Sequence, residues 1–364
     1  MSEQVYKDMI EVMNVRSMAM GGAFGGKDIP EYYRLVKVLF TPEEAEINNA
    51  MPAKTFSAVQ LAEVMGRDAV ELEKTLKQMA DKGLCSTYLK GELRLFRAAP
   101  FVPGILEFVF MDGSTTERDK KLARLVLEFK QAWEAESPMV IPYPMQRVIT
   151  VDESIESGHT IHTYDQVKTY IDANEDIAAA SCYCRHAAML RGEDTHGMPM
   201  QVCLSFGKTA QYMIESRAAR KLTQDESYKL LEECRDAGLV HMTHNTTDNV
   251  GYLCNCDQWH CYAIKMILKQ PKPSAVFNSG FEPKFDADRC TACETCLDRC
   301  PANALVMGDQ DVPEVDLNLC FGCAVCATGC NDETITMVAK KEGYEPPPKD
   351  NNELMQKMFA AYSK

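Results

Sequence analysis

Eight cysteines between residues 290 and 330 constrain this chain more than any other feature. They form two copies of one spacing, C-x2-C-x2-C-x3-C: Cys290, Cys293, Cys296 and Cys300 before Pro301, then Cys320, Cys323, Cys326 and Cys330 before Asn331. A cubane iron-sulfur cluster needs four thiolates at its corners, and a short turn with cysteines three apart wraps three of them around one cluster. The fourth must come from elsewhere. The same C-x2-C spacing also serves zinc, but four cysteines per copy, with a proline after the first set, favour iron and sulfide.

The flanks repeat as well. Asp286-Ala287-Asp288 before the first copy corresponds to Val315-Asp316-Leu317 before the second, and Ala304-Leu305-Val306 after the first to Ile335-Thr336-Met337 after the second. Residues 283–340 thus resemble a bacterial-type ferredoxin domain with two [4Fe-4S] clusters. The resemblance implies that each fourth ligand crosses over, giving cluster I on Cys290, Cys293, Cys296 and Cys330 and cluster II on Cys320, Cys323, Cys326 and Cys300. Asn331 in place of Pro301 departs from the repeat in turn stiffness and leaves the ligands untouched.

A chain of 364 residues suggests two or three domains, and a formal charge of -14 argues against bulk nucleic-acid binding and towards basic docking patches on redox partner proteins. There is no apolar run long enough for a membrane span, and Met1-Ser2-Glu3-Gln4 does not begin a secretory signal. Sixteen cysteines, mostly at metal-ligand spacings in a signal-free chain, predict a cytoplasmic, reducing and anaerobic setting.

From the start, Gly21 to Asp28 approximate a phosphate-binding glycine loop. However, Asp28 stands where Ser or Thr would hold magnesium, and Pro30 interrupts the helix that should follow, so an irregular segment is expected. Helices are then predicted over Tyr33 to Phe40, after Thr41 with Glu44, after Ser57 with Gln60, and from Asp68 to Gly83. Two strands follow, Leu84 to Leu89 and Glu92 to Phe96, which makes a winged helix. Its fourth helix carries Asp68, Glu71, Glu73 and Asp81 where base edges would be met, so protein docking or a structural role is favoured over DNA. A long helix is expected over 115–136, and a strand around Arg147 to Val151 opens the middle domain.

There, Cys182 with Cys184 and Cys254 with Cys256 each follow an apolar run. In extended chain the two thiols of a pair point to one side. With Cys203 they form the pool for a metal site, with Cys261 in reserve, and Arg185 is placed to offset thiolate charge. Cys85 and Cys234 read as core residues, and His186, His196, His241, His244 and His260 as minor ligand candidates. A third iron-sulfur cluster, zinc and metal-free thiols all remain open for this pool.

The segments Leu39 to Ala45, Val102-Pro103-Gly104-Ile105, Cys182-Tyr183-Cys184-Arg185, Cys203 to Gly207 and Cys254-Asn255-Cys256 resemble a family of ferredoxin-type iron-sulfur proteins. That family pairs an N-terminal winged-helix region with a C-terminal two-cluster domain. Relatives carry more cysteines after the C-N-C element, where this chain has Asp257, Gln258 and Trp259.

The expected architecture is α+β: an irregular segment over 1–30, a winged helix over 31–113, a long helix and connector over 114–145, and an α/β middle domain with a cysteine-rich site over 146–270. A linker over 271–284, the two-cluster ferredoxin domain over 285–340 and a tail over 341–364 complete it. The expected function is electron transfer, as a protein or as an oxidoreductase subunit. The alternatives are a redox-sensing transcription regulator using the winged helix and an iron-sulfur enzyme with a substrate-binding centre in the middle domain.

Overall fold

The computed structural model describes residues 2–17, 24–136, 140–150, 164–248 and 250–362. Gly21, Gly22 and Ala23 of the glycine-rich segment and Val151 of the expected strand lie outside them. The chain divides into two units. One comprises Met1–Met139, Ala180–Thr195 and Lys208–Arg220; the other comprises Val140–Ala179, His196–Gly207 and Lys221–Lys364.

Capping chemistry lays out the first unit. Thr41 and Glu44 close a reciprocal box on the helix Pro42–Ala50, and Ser57 and Gln60 do the same for Ala58–Met65. Asp68 accepts from the amides of Val70 and Glu71 at the start of Ala69–Asp81, whose Leu72, Leu76 and Met79 are buried. A hairpin follows, Cys85–Lys90 against Leu93–Ala98, and Gly91 at its turn has a φ of 63°. Phe56 pairs with Phe96 through two backbone hydrogen bonds of 2.8 and 3.0 Å, which adds a short third strand to the hairpin edge.

Pro30 does not interrupt a helix; it begins one, Pro30–Leu39, where its missing N–H costs nothing. Lys27 ion-pairs with Glu136 at 2.8 Å and lies over the Trp133 ring, so it belongs to the packing of this unit. The helix Glu117–Glu136 buries Leu122, Leu125, Val126 and Phe129 along one stripe. Cys85 is fully buried, and burial pushes its thiol up to about 12.

The second unit is built on a six-stranded sheet. Its order is Gln146–Ile149, Val240–His244, Tyr252–Cys256, Cys203–Phe206, Ile177–Ala180 and Arg220–Leu222. Thr223 and Glu226 box the helix Gln224–Asp236, which buries Leu230, Leu231 and Cys234. Within 271–284, Pro273–Val276 is helical, and the strand Phe281–Phe285 opens the cysteine-rich region. The C-terminal helix Asn351–Tyr362 buries Leu354 and Met358. Among the described residues no helix is long and apolar enough to cross a membrane.

Candidate iron-sulfur site

The cysteine repeat of the sequence is also a repeat of backbone. Ala292, Glu294 and Asn303 have φ values of 54°, 60° and 48°; thirty residues on, Gly322, Ala324 and Glu333 have 71°, 66° and 50°. The short helices Thr295–Asp298 and Val325–Thr328 repeat at the same offset. The Cys290 amide donates to Asp286 O, and the Cys320 amide to Asp316 O.

Strand pairing, however, crosses between the copies. Phe281–Phe285, which leads into Cys290, pairs antiparallel with Ile335–Ala339, which follows Cys330. Leu305–Met307, which follows Cys300, pairs with Pro313–Val315, which leads into Cys320. Two further bonds extend these ladders: the Asp286 amide to Thr334 O at 2.8 Å and the Asp316 amide to Ala304 O at 2.8 Å. Each fourth cysteine is therefore delivered to the other copy's loop.

The thiols group accordingly. One cavity is lined by Cys290, Cys293, Cys296 and Cys330, with Thr291 and Asp332 at its wall. Burial lifts the Cys296 thiol to about 11, and Cys293 and Cys330 are the thiols that add to it. Burial also raises Cys320, Cys323 and Cys326, and in each case the Cys300 thiol contributes. Cys293 moves the other way, because hydrogen bonds from the Thr295 side chain and amide favour its thiolate.

These donors fit an iron-sulfur cluster. Each fourth thiol already accepts an amide hydrogen bond, Cys300 Sγ from Ala304 at 3.2 Å and Cys330 Sγ from Thr334 at 3.4 Å. Such bonds stabilise a ligating sulfur and tune the metal it holds. Among the described residues no three His, Cys, Asp or Glu side chains converge at single-ion distances.

In the middle of the chain, one expected pair is extended and the other is not. Cys254 and Cys256 lie in the strand Tyr252–Cys256, opposite Met242 and Val240, and so share one face. Leu204 pairs with Leu253, and carrying that register on by one sets Cys203 across from Cys254. All three thiols act on Tyr252, whose hydroxyl is raised well above its usual value, first by burial and then by Cys254, Cys203 and Cys256.

The extended reading of Cys182 and Cys184 is corrected. Cys182 is the N-cap of the helix Tyr183–Arg191 and Cys184 lies in its first turn, where strand alternation does not apply. Arg185 of that helix is completely buried, and Cys182, Cys184 and Arg185 all belong to the first unit. Cys261, the reserve ligand, caps Tyr262–Leu268 by accepting from the Ile264 amide at 3.5 Å.

His186 Nδ1 lies 2.7 Å from Phe110 O, His241 bonds Asn255, and His260 pairs with Asp257 at 3.0 Å. Burial holds both His241 and His244 down to about 4. His196 stacks on Trp259 at 4.6 Å between ring centroids.

The 4Fe-4S binding domain family matches residues 283–306, spanning the first cysteine run. Pyruvate synthase subunit PorD of Methanothermobacter marburgensis is 34% identical over 78 residues, which is 91% of that protein and 20% of this chain. The chain belongs to the ferredoxin-type iron-sulfur proteins. The ferredoxin-type region is also 29% identical to pyruvate synthase subunit PorD of Methanocaldococcus jannaschii over 83 residues, covering 96% of that protein and 22% of this chain. Ferredoxin-type protein NapF of Haemophilus influenzae is 47% identical over 49 residues, 28% of its length and 12% of this one. No solved structure matches the chain.

Three supports of the ferredoxin-type region escaped sequence reasoning. Arg299 donates to Val325 O and to the carbonyls of Arg235 and Asp236, tying the cysteine loops to the end of the helix Gln224–Asp236. Gly322 O accepts from Thr150 Oγ1 at 2.8 Å and Ser279 Oγ at 2.6 Å. Lys340 Nζ donates to Cys320 O at 3.3 Å. Arg299 and Gly322 lie inside the cysteine runs, but the spacing does not name their partners, and only spatial neighbourhood reveals them.

Proposed function

We propose that the chain is an electron-transfer protein or oxidoreductase subunit with two [4Fe-4S] clusters. Cluster I is held by Cys290, Cys293, Cys296 and Cys330, and cluster II by Cys320, Cys323, Cys326 and Cys300. The observation that supports this reading is the crossed strand pairing, in which the strand after Cys330 joins the one before Cys290 and the strand after Cys300 joins the one before Cys320. When bound, a cluster of this kind supplies a reversible single-electron step. The chain's part is to fix the thiols, exclude water from most of them and set local charge. The name shared by two relatives, a pyruvate synthase subunit, supports a role beside a partner oxidoreductase. We read the N-terminal helices and hairpin as a winged helix that docks protein, because its fourth helix exposes Glu71, Glu73 and Asp81.

A second reading concerns the sheet face that carries Cys203, Cys254 and Cys256. We assign these thiols to a third iron-sulfur centre. The deciding experiment is iron, zinc and acid-labile sulfide analysis with low-temperature EPR of anaerobically purified protein. About eight irons are expected for two clusters and about twelve for three. Serine at Cys203, Cys254 and Cys256 should return twelve to eight; a content those substitutions leave unchanged removes the third centre. A colourless, zinc-loaded preparation removes the whole proposal.

Lys340 gives a sharper expectation. Its ammonium is half-buried, donates to Cys320 O at 3.3 Å and acts electrostatically on the Cys320 thiol. A cation there favours the added electron, so Lys340→Met is expected to lower the midpoint potential of the centre on Cys320, while Lys340→Arg should hold it. EPR-monitored redox titration reads the shift, and equal potentials in all three proteins would exclude Lys340 as a tuning residue.

A further inference from the structure

We infer that the loop Thr291 to Thr295 is the docking surface for the redox partner, and that this partner presents a basic patch. The inference rests on the two-cluster reading and adds where exchange with another protein takes place. Its starting point is the difference between two loops of the same backbone. In the first copy the residues are Thr291, Ala292, Cys293, Glu294 and Thr295. In the second they are Phe321, Gly322, Cys323, Ala324 and Val325.

The second loop is sealed. Phe321, Ala324 and Val325 are each 1% exposed and Cys323 is 8% exposed. Phe321 packs edge-on against Phe277 at 5.1 Å between centroids, and the Gly322 carbonyl is held by Thr150 and Ser279. The first loop is open. Of the eight thiols, Cys293 alone is exposed, and it lines the cavity shared with Cys290, Cys296 and Cys330. Tunnelling falls steeply with distance, so a partner gains most by approaching where a ligating sulfur reaches the surface. That place is Cys293.

Charge names the partner's chemistry. Glu294 and Asp332 are exposed and line the same opening, and Asp298 and Glu333 are exposed next along the same two segments. Arg289 is exposed beside them and donates its Nη2 to Asp332 O at 2.6 Å, so one cation stands against four acids. An acidic rim around an exposed thiolate favours a basic face and steers its encounter, more strongly at low salt.

The probe is ferric cytochrome c, a basic haem protein that takes one electron from the dithionite-reduced chain and becomes ferrous. Carbodiimide cross-linking to the iron-loaded wild-type protein is expected to map to Glu294, Asp298, Asp332 or Glu333. The double reversal Glu294→Lys with Asp298→Lys is expected to lower the second-order rate constant about tenfold at low salt, with iron content unchanged and the loss fading as salt rises. Cross-links elsewhere on the iron-loaded chain, or an unchanged rate in an iron-loaded variant, would overturn the docking assignment alone. A wild-type chain that holds no iron would overturn the parent reading instead. If the reversal variant loses its iron, the wild-type cross-link map still decides.

Discussion

Serine or alanine at Cys330 is expected to empty the centre on Cys290, Cys293 and Cys296 and spare the one on Cys320, Cys323 and Cys326, while the same changes at Cys300 do the reverse. The reason is the ladder between Phe281–Phe285 and Ile335–Ala339, which carries the end of the second copy back to the start of the first. The electrostatics mostly follow the same division: Cys330 raises Cys296, and Cys300 raises Cys320, Cys323 and Cys326, although Cys296 also acts on Cys326. Each substitution should remove about four irons. Iron content alone cannot distinguish the two variants, so the paramagnetically shifted cysteine signals in NMR must be assigned in each. If the Cys330 variant kept the signals of Cys290 and Cys293 and lost those of Cys320 and Cys323, the ligand sets would be uncrossed and the assignment wrong.

Alanine at Gly322 should be the most damaging single methyl in the second unit. Gly322 has a φ of 71°, and an added Cβ would stand 2.2 Å from Phe281 O and 2.5 Å from Ser279 Oγ. Backbone strain alone costs roughly 1 kcal/mol at a left-handed position. The clash adds to it because the obstacle is main chain of a paired strand, which cannot step aside without opening its ladder. A loss of more than about 3 kcal/mol is expected, read by chemical denaturation, together with loss of the iron bound near Cys320 and Cys323. Gly91→Ala is the control: its φ is 63° but nothing lies within 4 Å of the added carbon, so only the strain should register. Equal effects at the two sites would show that the approach of Phe281 O does not matter.

How far the chain could be read in advance varied with the kind of signal. Capping boxes were legible because both partners sit three residues apart: Thr41 with Glu44 and Ser57 with Gln60 both close as their sequences suggest. Cysteines two apart were ambiguous. Cys254 and Cys256 continue a strand, whereas Cys182 and Cys184 start a helix after an equally apolar run, because Tyr183 to Leu190 favours helix and Gly192 ends it in the left-handed region. Pro30 misled for a similar reason: the residue that breaks a helix interior is also a good first residue. The contrast between Thr291-Ala292-Cys293-Glu294 and Phe321-Gly322-Cys323-Ala324 was visible in the letters all along. Its meaning needed the fold, since only the structure shows that one loop faces solvent and the other a core.

The exchange of strands between the two halves also bears on the order of synthesis. The first strand of the cysteine region, Phe281–Phe285, has its partner at Ile335–Ala339, the last strand among the described residues. A nascent polypeptide that has emerged only through residue 306 has every cysteine of its first run and neither ladder. If the ligands cross as proposed, metal delivery to that run waits until Ile335–Ala339 has emerged, and a fragment cut to 283–306 would be an incomplete receptacle however well its letters match the family.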